Sequence, residues 1–285
     1  EIRNHILQTF EDIISAEEKD KAALLNLTIV GAGPTGVELA GAFAEIKKDI
    51  LPKDYPGINF AQFNINLIEG SNHTLNNMSP LAKAASAKYL EQLGVNIITE
   101  TFVKNYDGLT LELSNGNTLQ SKTVIWAAGV IGNKIIGLPS TAMKQGNRIA
   151  VNRTNLIESC QNIYAIGDIA LMETPKYPKG HPQLANVAIN QAKNLARNLK
   201  RQENNILQKE FEYTDLGSMA TIGRNKAVVD LPFYHFKGYF AWLVWMFLHL
   251  MLILSVRNKL IIFINWVWAY FTKDTSLRLI LNQKK

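Results

Sequence analysis

A glycine-rich turn near the start of the 285-residue sequence has the most specific residue spacing for chemistry. Gly31, Gly33 and Gly36 form a Gly-x-Gly-x-x-Gly pattern directly after an apolar stretch. In such a turn the first glycine permits the tight bend and the second lets the backbone approach a pyrophosphate. The third allows the following helix to pack closely on the strand. Unpaired N–H groups at the start of that helix would then face the phosphates. The pattern therefore predicts dinucleotide binding.

Two acidic residues near the turn are candidates for further contacts. Glu69 ends a predicted strand, where a carboxylate would accept hydrogen bonds from the adenine ribose and repel a 2′-phosphate, which favours NADH over NADPH. It lies 33 residues after Gly36, beyond the usual separation of about 20, because a loop with prolines comes between them. The alternative for Glu69 is a strand-end acid that only faces solvent. Glu38 either complements the helix dipole or faces a nicotinamide cleft, and the pattern does not separate the two.

The elements that must position these residues alternate between strands and helices, which is typical of an α/β fold with a parallel sheet. Helical spacing is found at 2–19, 80–93 and 183–201. Predicted strands cover 25–30, 63–70, 95–99, 123–129 and 162–170, with a hairpin at Asn115-Gly116 and short strand-like pieces at 211–215, 218–223 and 226–230.

The C-terminal fifth of the chain has a different character. Seven basic residues and one acid between 231 and 285 account for the whole net charge of +6, and four of the five tryptophans lie there. Two apolar runs, 239–254 and 260–271, are shorter than the roughly 20 residues that cross a bilayer. We expect them to form an in-plane membrane anchor rather than a nucleic-acid surface, with a buried core helix as the alternative. His249 is expected to be a packed or interfacial histidine.

Composition excludes several other classes of protein. Hydrophobic residues make up 47% of the chain and charged residues 19%, which excludes both a disordered tail and a multi-span membrane protein. The single cysteine, Cys160, excludes an intramolecular disulfide framework, a Cys-x-x-Cys redox centre and a cysteine-ligated zinc. We expect no metal site.

A second motif, YAIGDIA at 164–170, resembles the Gly-Asp turn that two-dinucleotide flavoproteins use against FAD. Together with GAGPTGVELAG, VIWAAGV, the helix HPQLANVAINQAKNLARNL and GSMATIGRNKAVVDLP, it makes nearly the whole chain resemble type II NADH:quinone oxidoreductases, which are single-subunit flavoenzymes that do not pump protons. In these enzymes the flavin supplies the redox chemistry and the protein supplies positioning and electrostatics.

The resemblance assigns roles to individual residues. It implies that NADH contacts Gly31, Gly33, Pro34, Thr35, Gly36 and Glu69, that Ala127, Ala128 and Gly129 line the passage between nicotinamide and flavin, and that Gly167 and Asp168 hold FAD. It implies catalytic roles for Glu38, near the nicotinamide and quinone entry, and for Gln191, beside flavin and quinone.

The helix that carries Gln191 departs from the family. The family pattern Ala-Gln-x-Ala-x-Gln-Gln becomes Ala185-Asn186-Val187-Ala188-Ile189-Asn190-Gln191 here. Two glutamines are thus asparagines, whose amides reach one methylene less far. Ala185 is an expected cofactor contact, and Asn186, Asn190 and Gln191 are the expected quinone contacts.

The implied fold class is α/β. It has a Rossmann-like NADH-binding domain, the C-terminal part of a Rossmann-like FAD-binding domain, and a small α+β region with amphipathic membrane-anchoring helices. The expected ranges are a linker helix from the FAD domain at 1–20, the NADH-binding domain at 21–130, the returning FAD segment at 131–203 and the anchoring region at 204–285. The family's first, FAD-binding glycine turn does not occur in this sequence, so we expect a C-terminal fragment.

The implied activity is hydride transfer from NADH to FAD followed by reduction of a membrane quinone. The expected location is peripheral, on the cytoplasmic face of a bacterial inner membrane, and a homodimer is left open. Two alternatives remain: an FAD- and NAD(P)-dependent reductase of a soluble carrier, and a membrane-attached NADH-binding module without flavin activity.

Overall fold

The computed structural model describes residues 2–158, 160–253 and 255–272. Its helices are α1 (Ile2–Ser15), α2 (Glu18–Leu24), α3 (Pro34–Asp49), α4 (Leu51–Asp54), α5 (Pro80–Gln92), α6 (Ala185–Glu203), α7 (Tyr239–Leu252) and α8 (Val256–Thr272). Its strands are β1 (Asn26–Val30), β2 (Asn64–Ile68), β3 (Val95–Ile98), β4 (Val103–Tyr106), β5 (Thr110–Leu113), β6 (Thr118–Gln120), β7 (Thr123–Trp126), β8 (Ile149–Ala150), β9 (Ala170–Leu171), β10 (Ser218–Gly223), β11 (Lys226–Leu231) and β12 (Tyr234–Lys237). They form two compact units, 1–128 with 216–285, and 129–215; the four expected ranges stay predictions.

A four-stranded parallel sheet in the order β3-β2-β1-β7 is the centre of the first unit. In the register, Thr28 of β1 lies opposite Asn66 of β2 on one side and Val124 of β7 on the other. Ile29, Ile65 and other apolar side chains of β1 and β2 are fully buried, as expected for strands covered on both faces. This sheet confirms the predicted α/β class.

Local sequence signals account for the elements around this sheet. Ser79 caps α5 by accepting a hydrogen bond from the Ala82 N–H at 3.2 Å. The antiparallel strands β4, β5 and β6 form a small separate sheet, and Gly116 takes a φ of +87° in the predicted hairpin between β5 and β6. The predicted helix at 2–19 is instead two helices, because Glu17 is extended and separates α1 from α2.

The C-terminal part of the first unit packs on α3. Strands β10, β11 and β12 form an antiparallel sheet. Gly41 of α3 lies so close to the Ile222 carbonyl of β10 that a Cβ there would collide with it. The close approach of helix and strand explains why α3 has a small residue at this point.

Helices α7 and α8 leave much of their apolar surface uncovered. The exposed large side chains are Tyr239, Phe240, Leu243, Phe247, Leu248, Met251 and Leu252 on α7, and Val256, Leu260, Ile261, Phe263, Ile264, Val267, Trp268 and Phe271 on α8. The buried-core alternative for these runs is therefore wrong. Among the described residues, no helix combines the length and apolarity needed to cross a membrane. Residues 273–285, with four of the seven basic residues counted above, lie outside the described part.

The second unit has less regular structure. Its core includes Ile149, Ile157, Met172, Val187 and Tyr213. Strands β8 and β9 pair in parallel over two residues, and α6 confirms the predicted helix. The predicted strand at 162–170 is mostly not formed, since Tyr164 makes only an isolated bridge to Leu156. The piece at 211–215 is also not a strand in the described structure. A strand needs a partner over several residues, and these segments have none there.

Candidate functional site

The glycine turn joins β1 to α3 in the conformation that its spacing predicts. Gly31 has a φ of +101°, and a Cβ there would lie 2.7 Å from the Ala128 Cα. A Cβ at Gly36 would collide with the Gly31 carbonyl oxygen, whereas a Cβ at Gly33 would meet no atom within 4 Å. Gly31 and Gly36 are therefore required by the turn itself. The open space beside Gly33 leaves room for a ligand against the backbone.

The start of α3 offers backbone donors beside this open space. Gly33 is the N-cap, in an extended conformation and with no side chain bonded to the cap among the described residues. Pro34 is the first helical residue and Thr35 follows it, both exposed. The first N–H groups of a helix have no partner within the helix and carry the positive end of its dipole. This end of α3 therefore suits a phosphate group.

Glu69 lies at the carboxyl end of β2 and contacts the glycine turn directly. Its Oε2 accepts a hydrogen bond from the Ala32 N–H at 2.6 Å, and its Oε1 accepts two at 2.8 Å from the N–H and hydroxyl of Ser71. The carboxylate thus braces the turn. A carboxylate has about four acceptor positions, so capacity for ribose hydroxyls remains. That ribose contact stays a prediction.

The end of β7 lies beside the turn at the same edge of the sheet. The Ala127 N–H donates to the Val30 carbonyl at 2.7 Å, and the Ala128 backbone packs against Gly31. Gly129 follows with a φ of +94°. In open α/β sheets this edge, outside the carboxyl ends of the strands, is where ligands bind. The predicted role of these three residues along a nicotinamide passage is untested.

In the second unit, Gln191 holds the Gly-Asp turn. Its buried side-chain carbonyl accepts a hydrogen bond from the Gly167 N–H at 2.7 Å. Gly167 has a φ of +73°, and a Cβ there would lie 3.2 Å from the Ala188 Cβ of α6. Gly167 is thus explained by its backbone conformation and by packing on α6. The Asp168 side chain is exposed and available to a hydroxyl of a bound flavin.

The other predicted residues on α6 lie on a different face from Gln191. Ala185, Asn186 and Asn190 are exposed together with Ile189, whereas Gln191 is 1% exposed. The asparagines are free to meet a ligand, but the Gln191 carbonyl already has a backbone partner. Gln191 therefore fixes the backbone of the Gly-Asp turn, and its predicted catalytic role is untested.

Glu38 lines a cavity of about 420 Å³ within the first unit. The cavity lies between α3, the turn from β10 to β11, and the apolar helices α7 and α8. Its walls are mainly apolar, and its lining contains four aromatic residues and four polar or charged ones. The lining residues are Glu38, Ala42, Glu45, Thr221, Gly223, Arg224, Trp242, Trp245, Met246, Trp266, Ala269 and Tyr270. Apolar walls with a few polar groups are typical of sites for small organic ligands.

Burial raises the pKa of the Glu38 carboxyl group above its ordinary value. The Thr221 N–H, which donates to Glu38 Oε1 at 3.2 Å, opposes this increase. The charge of His249 and the nearby Trp245 indole oppose it more weakly. The Trp245 Nε1 is buried, and among the described residues no acceptor lies in hydrogen-bonding geometry to it. The exposed His249 ring stacks on Trp245 with centroids 4.0 Å apart, as expected for a packed histidine.

Sequence reasoning missed Glu45 and Arg224. Glu45 accepts a short hydrogen bond from the Arg224 backbone N–H. The seven-residue spacing of Glu38 and Glu45 places both on one face of α3, and this signal was available in the sequence. Arg224, however, is 179 positions from Glu45, and no local pattern links residues so far apart.

Replacing Glu38 with glutamine is expected to increase the free energy of unfolding at pH 8 but not at pH 4. Because the folded-state pKa of Glu38 lies above its ordinary value, the native protein binds more protons than the unfolded chain between the two pKa values. Stability therefore falls as the pH rises through that window, and a neutral amide removes the effect. Urea unfolding at both pH values measures it, with Glu91→Gln on the exposed face of α5 as control. Equal destabilisation by Glu38→Gln at both pH values would contradict the prediction.

Two family models match this chain, one over the part that contains the glycine turn and the Gly-Asp turn and the other over the C-terminal part. Residues 3–192 match the family model described as pyridine nucleotide-disulphide oxidoreductase, and residues 216–273 match the NDH2 C-terminal domain. The chain is 30% identical to the type II NADH:quinone oxidoreductase Ndh of Mycobacterium tuberculosis, with 100% of the chain and 63% of that protein covered. It is 29% identical to the type II NADH:quinone oxidoreductase of Staphylococcus aureus, with 80% of the chain and 56% of that protein covered. The chain thus spans less than two thirds of these relatives' length.

A solved structure shows the same fold. NDH2 from Plasmodium falciparum in complex with NADH superposes with a TM-score of 0.85 at 21% identity, over 99% of this chain and 72% of that one. A ferredoxin reductase from Rhodopseudomonas palustris matches less well, with a TM-score of 0.52 over 72% of this chain and 47% of that one.

Proposed function

Because the chain belongs to the pyridine nucleotide-disulphide oxidoreductase family and carries the NDH2 C-terminal domain of type II NADH dehydrogenases, we propose that it is the NADH-binding and membrane-contacting part of an NADH:quinone oxidoreductase. One observation carries the proposal: the first unit joins a dinucleotide turn to an aromatic cavity beside two exposed apolar helices. This arrangement suits an enzyme that takes a soluble reductant and a lipid-phase acceptor.

NADH would be held at the glycine turn. The open space beside Gly33 and the free N–H groups that follow Pro34 suit the pyrophosphate. Glu69 would accept hydrogen bonds from the adenine ribose while its other bond, from the Ala32 N–H, is kept. Its negative charge would repel the extra phosphate of NADPH. Ala127 and Ala128 would lie along the nicotinamide, where their small side chains leave space.

The second unit would contribute part of the flavin site. Asp168 would accept a hydrogen bond from a ribityl hydroxyl, and Gln191 would fix the turn through the Gly167 N–H. Arg148 supports the same segment, because its Nη2 donates to the Ala170 carbonyl at 2.6 Å. A bound FAD would supply the chemistry that accepts a hydride and passes electrons to quinone. Asn186 and Asn190 of α6 would donate hydrogen bonds to a quinone carbonyl.

Glu38 would hold a proton for the reaction. Quinone reduction consumes two protons, and a carboxyl group with a raised pKa stays protonated nearer neutral pH than an exposed one. Partial burial beside the apolar walls of the cavity favours the protonated form of this carboxyl group. The role proposed for Glu38 is thus proton storage and delivery.

The exposed apolar faces of α7 and α8 would lie in the membrane surface. Tryptophans with basic residues are typical of helices in the interfacial region, and Arg257 and Lys259 are placed to meet anionic lipid headgroups. We propose a peripheral protein on the cytoplasmic face of a bacterial inner membrane, where soluble NADH is present. Sedimentation of the purified protein would decide between a monomer and the homodimer that the sequence leaves open.

Anaerobic mixing of the complete flavin-loaded protein with NADH and then with quinone in vesicles tests the function. NADH should bleach the flavin absorbance, and quinone should restore it only when vesicles are present. Equal reoxidation by a soluble acceptor without vesicles would favour the soluble-carrier reductase. NADH binding without flavin absorbance would favour the binding module.

Replacing Glu69 with glutamine tests the predicted nucleotide preference. Glu69→Gln should reduce the preference for NADH over NADPH on the order of tenfold, or about 1.4 kcal/mol, with Glu112→Gln on the exposed side of β5 as control.

A further inference from the structure

Arg224 lies in the tight turn between β10 and β11 and contacts elements on both sides of the Glu38 cavity. The turn is sharp, with Asn225 at a φ of +63°, so the position of Arg224 is fixed by its backbone. Its main chain contacts α3 and its side chain contacts α8. Arg224 thus lies where the nucleotide-binding fold meets the apolar helices.

The Arg224 guanidinium binds two backbone carbonyls in the last described turn of α8. Its Nη1 donates to the Tyr270 carbonyl and its Nη2 to the Ala269 carbonyl, both at 3.2 Å. The guanidinium carbon also lies 5.2 Å from the centre of the Tyr270 ring, within the range of a cation–π contact. The contact thus places a cation against two backbone carbonyls and one aromatic ring in the last described turn of α8. The contact therefore stabilises the last turn of α8.

Strand β10 and the turn that follows it are bound to α3 by two carboxylates. Glu45 accepts the Arg224 backbone N–H, and Glu38 accepts the Thr221 N–H. On the opposite side, Trp266 and Tyr270 of α8 form part of the cavity wall. A continuous path of contacts therefore runs from Glu38 through the turn to α8.

We propose that Arg224 is a positioning residue that holds the last turn of α8 in place as a wall of the Glu38 cavity. This inference rests on the proposed function for the role of Glu38 and for the membrane contact of α8. A guanidinium suits the task better than an ammonium group, because its rigid fork reaches two carbonyls while its face packs on a ring. Loss of the guanidinium would let the last turn of α8 move and would admit more water to Glu38.

Hydrogen exchange in the full protein tests the holding role without any activity assay. Arg224→Met removes the donors but keeps an apolar stem, and amides at 266–272 should exchange about tenfold faster, equal to roughly 1.4 kcal/mol. Arg257→Met removes the same charge from an exposed site on α8 and should leave these amides unchanged. Arg224→Lys should give intermediate rates, since one bond can re-form. Equal rates in the Arg224→Met and unaltered proteins would overturn the proposal.

Tryptophan fluorescence as a function of pH tests the effect on Glu38. The titratable groups that face Glu38 are Glu45 of α3, Arg224 of the turn, His249 of α7 and Tyr270 of α8. If Arg224→Met opens the cavity, hydration lowers the pKa of Glu38, whereas loss of a positive charge alone would raise it. The midpoint should therefore move to lower pH, and Glu38→Gln should abolish that transition.

The two measurements separate the possible failures. A midpoint that moves to higher pH would mean that Arg224 acts only by its charge, which overturns the positioning role. If exchange and fluorescence behave as expected but quinone is not reduced, the proposed function fails while the positioning of α8 by Arg224 stands.

Discussion

Replacing Gly36 with alanine is expected to abolish NADH binding and to destabilise the first unit by roughly 3 kcal/mol. The new Cβ would collide with the Gly31 carbonyl oxygen. Neither atom can turn away, because the oxygen is part of the backbone and the Cβ is bonded directly to it. Gly31 itself cannot yield, because it donates to the Ile68 carbonyl at 2.7 Å and takes a φ of +101°. The start of α3 would have to move away from β1, which removes the phosphate-binding geometry.

Replacing Gly33 with alanine should separate binding from folding. Its Cβ would meet no protein atom and its φ of −68° suits alanine, so stability should change by no more than about 0.5 kcal/mol. The methyl group would, however, occupy the space where we expect the pyrophosphate. NADH affinity should fall about 100-fold, or roughly 2.7 kcal/mol.

Urea unfolding and NADH titration by nicotinamide fluorescence measure both effects on the same samples. Gly57→Ala is the matched control, since a Cβ there also meets no atom within 4 Å and the residue lies in an exposed loop away from the turn. Unchanged NADH affinity in Gly33→Ala would show that the dinucleotide does not bind against this turn.

Local spacing made the dinucleotide turn predictable. The glycines, the strand before them and the helix after them lie within 25 consecutive positions, 25–49, and each has a conformational requirement that few residue types meet. Glu69 was predictable as an acid at a strand end. Its second role, the hydrogen bond to the Ala32 N–H, depends on the neighbouring position of β1 and β2 in the sheet, which spacing does not specify.

Long-range contacts explain what the sequence did not predict. The cavity takes Glu38 and Glu45 from α3 and Arg224 from a turn some 180 positions later, so its composition depends on how β10 packs on α3. Gln191 was expected to face cofactor and quinone because its neighbours on α6 resemble a family pattern. In the structure the Gln191 amide points inwards and accepts a hydrogen bond from the Gly167 N–H, a contact that the family pattern does not specify, and its contacts with cofactor and quinone stay predictions. The segment at 162–166 has the apolar residues of a strand, but in the described structure it forms only an isolated bridge between Tyr164 and Leu156.

Replacing three exposed aromatic residues of α7 and α8 with serine is expected to release the protein from membranes. Phe247, Trp268 and Phe271 are 61%, 66% and 78% exposed, so their loss should not disturb the packing of the unit. Each would bury apolar surface in the membrane interface, where a fully buried large side chain contributes about 1.5–3 kcal/mol. For three partly buried side chains we expect a loss of about 4 kcal/mol, or roughly a thousandfold weaker partitioning.

Sedimentation with vesicles of mixed anionic and zwitterionic lipid measures this partitioning. Ile136→Ser, at a residue that is 95% exposed in the second unit, is the control for loss of an exposed apolar side chain. Salt separates the two contributions, because screening weakens the attraction of Arg257 and Lys259 to anionic lipid but leaves apolar burial almost unchanged. The triple variant should therefore lose the binding that persists at high salt and keep a weak, salt-sensitive remainder. If the triple variant binds vesicles as tightly as the unaltered protein at high salt, the apolar faces of α7 and α8 are not the membrane contact, and the proposed access to a lipid-phase quinone loses its structural basis.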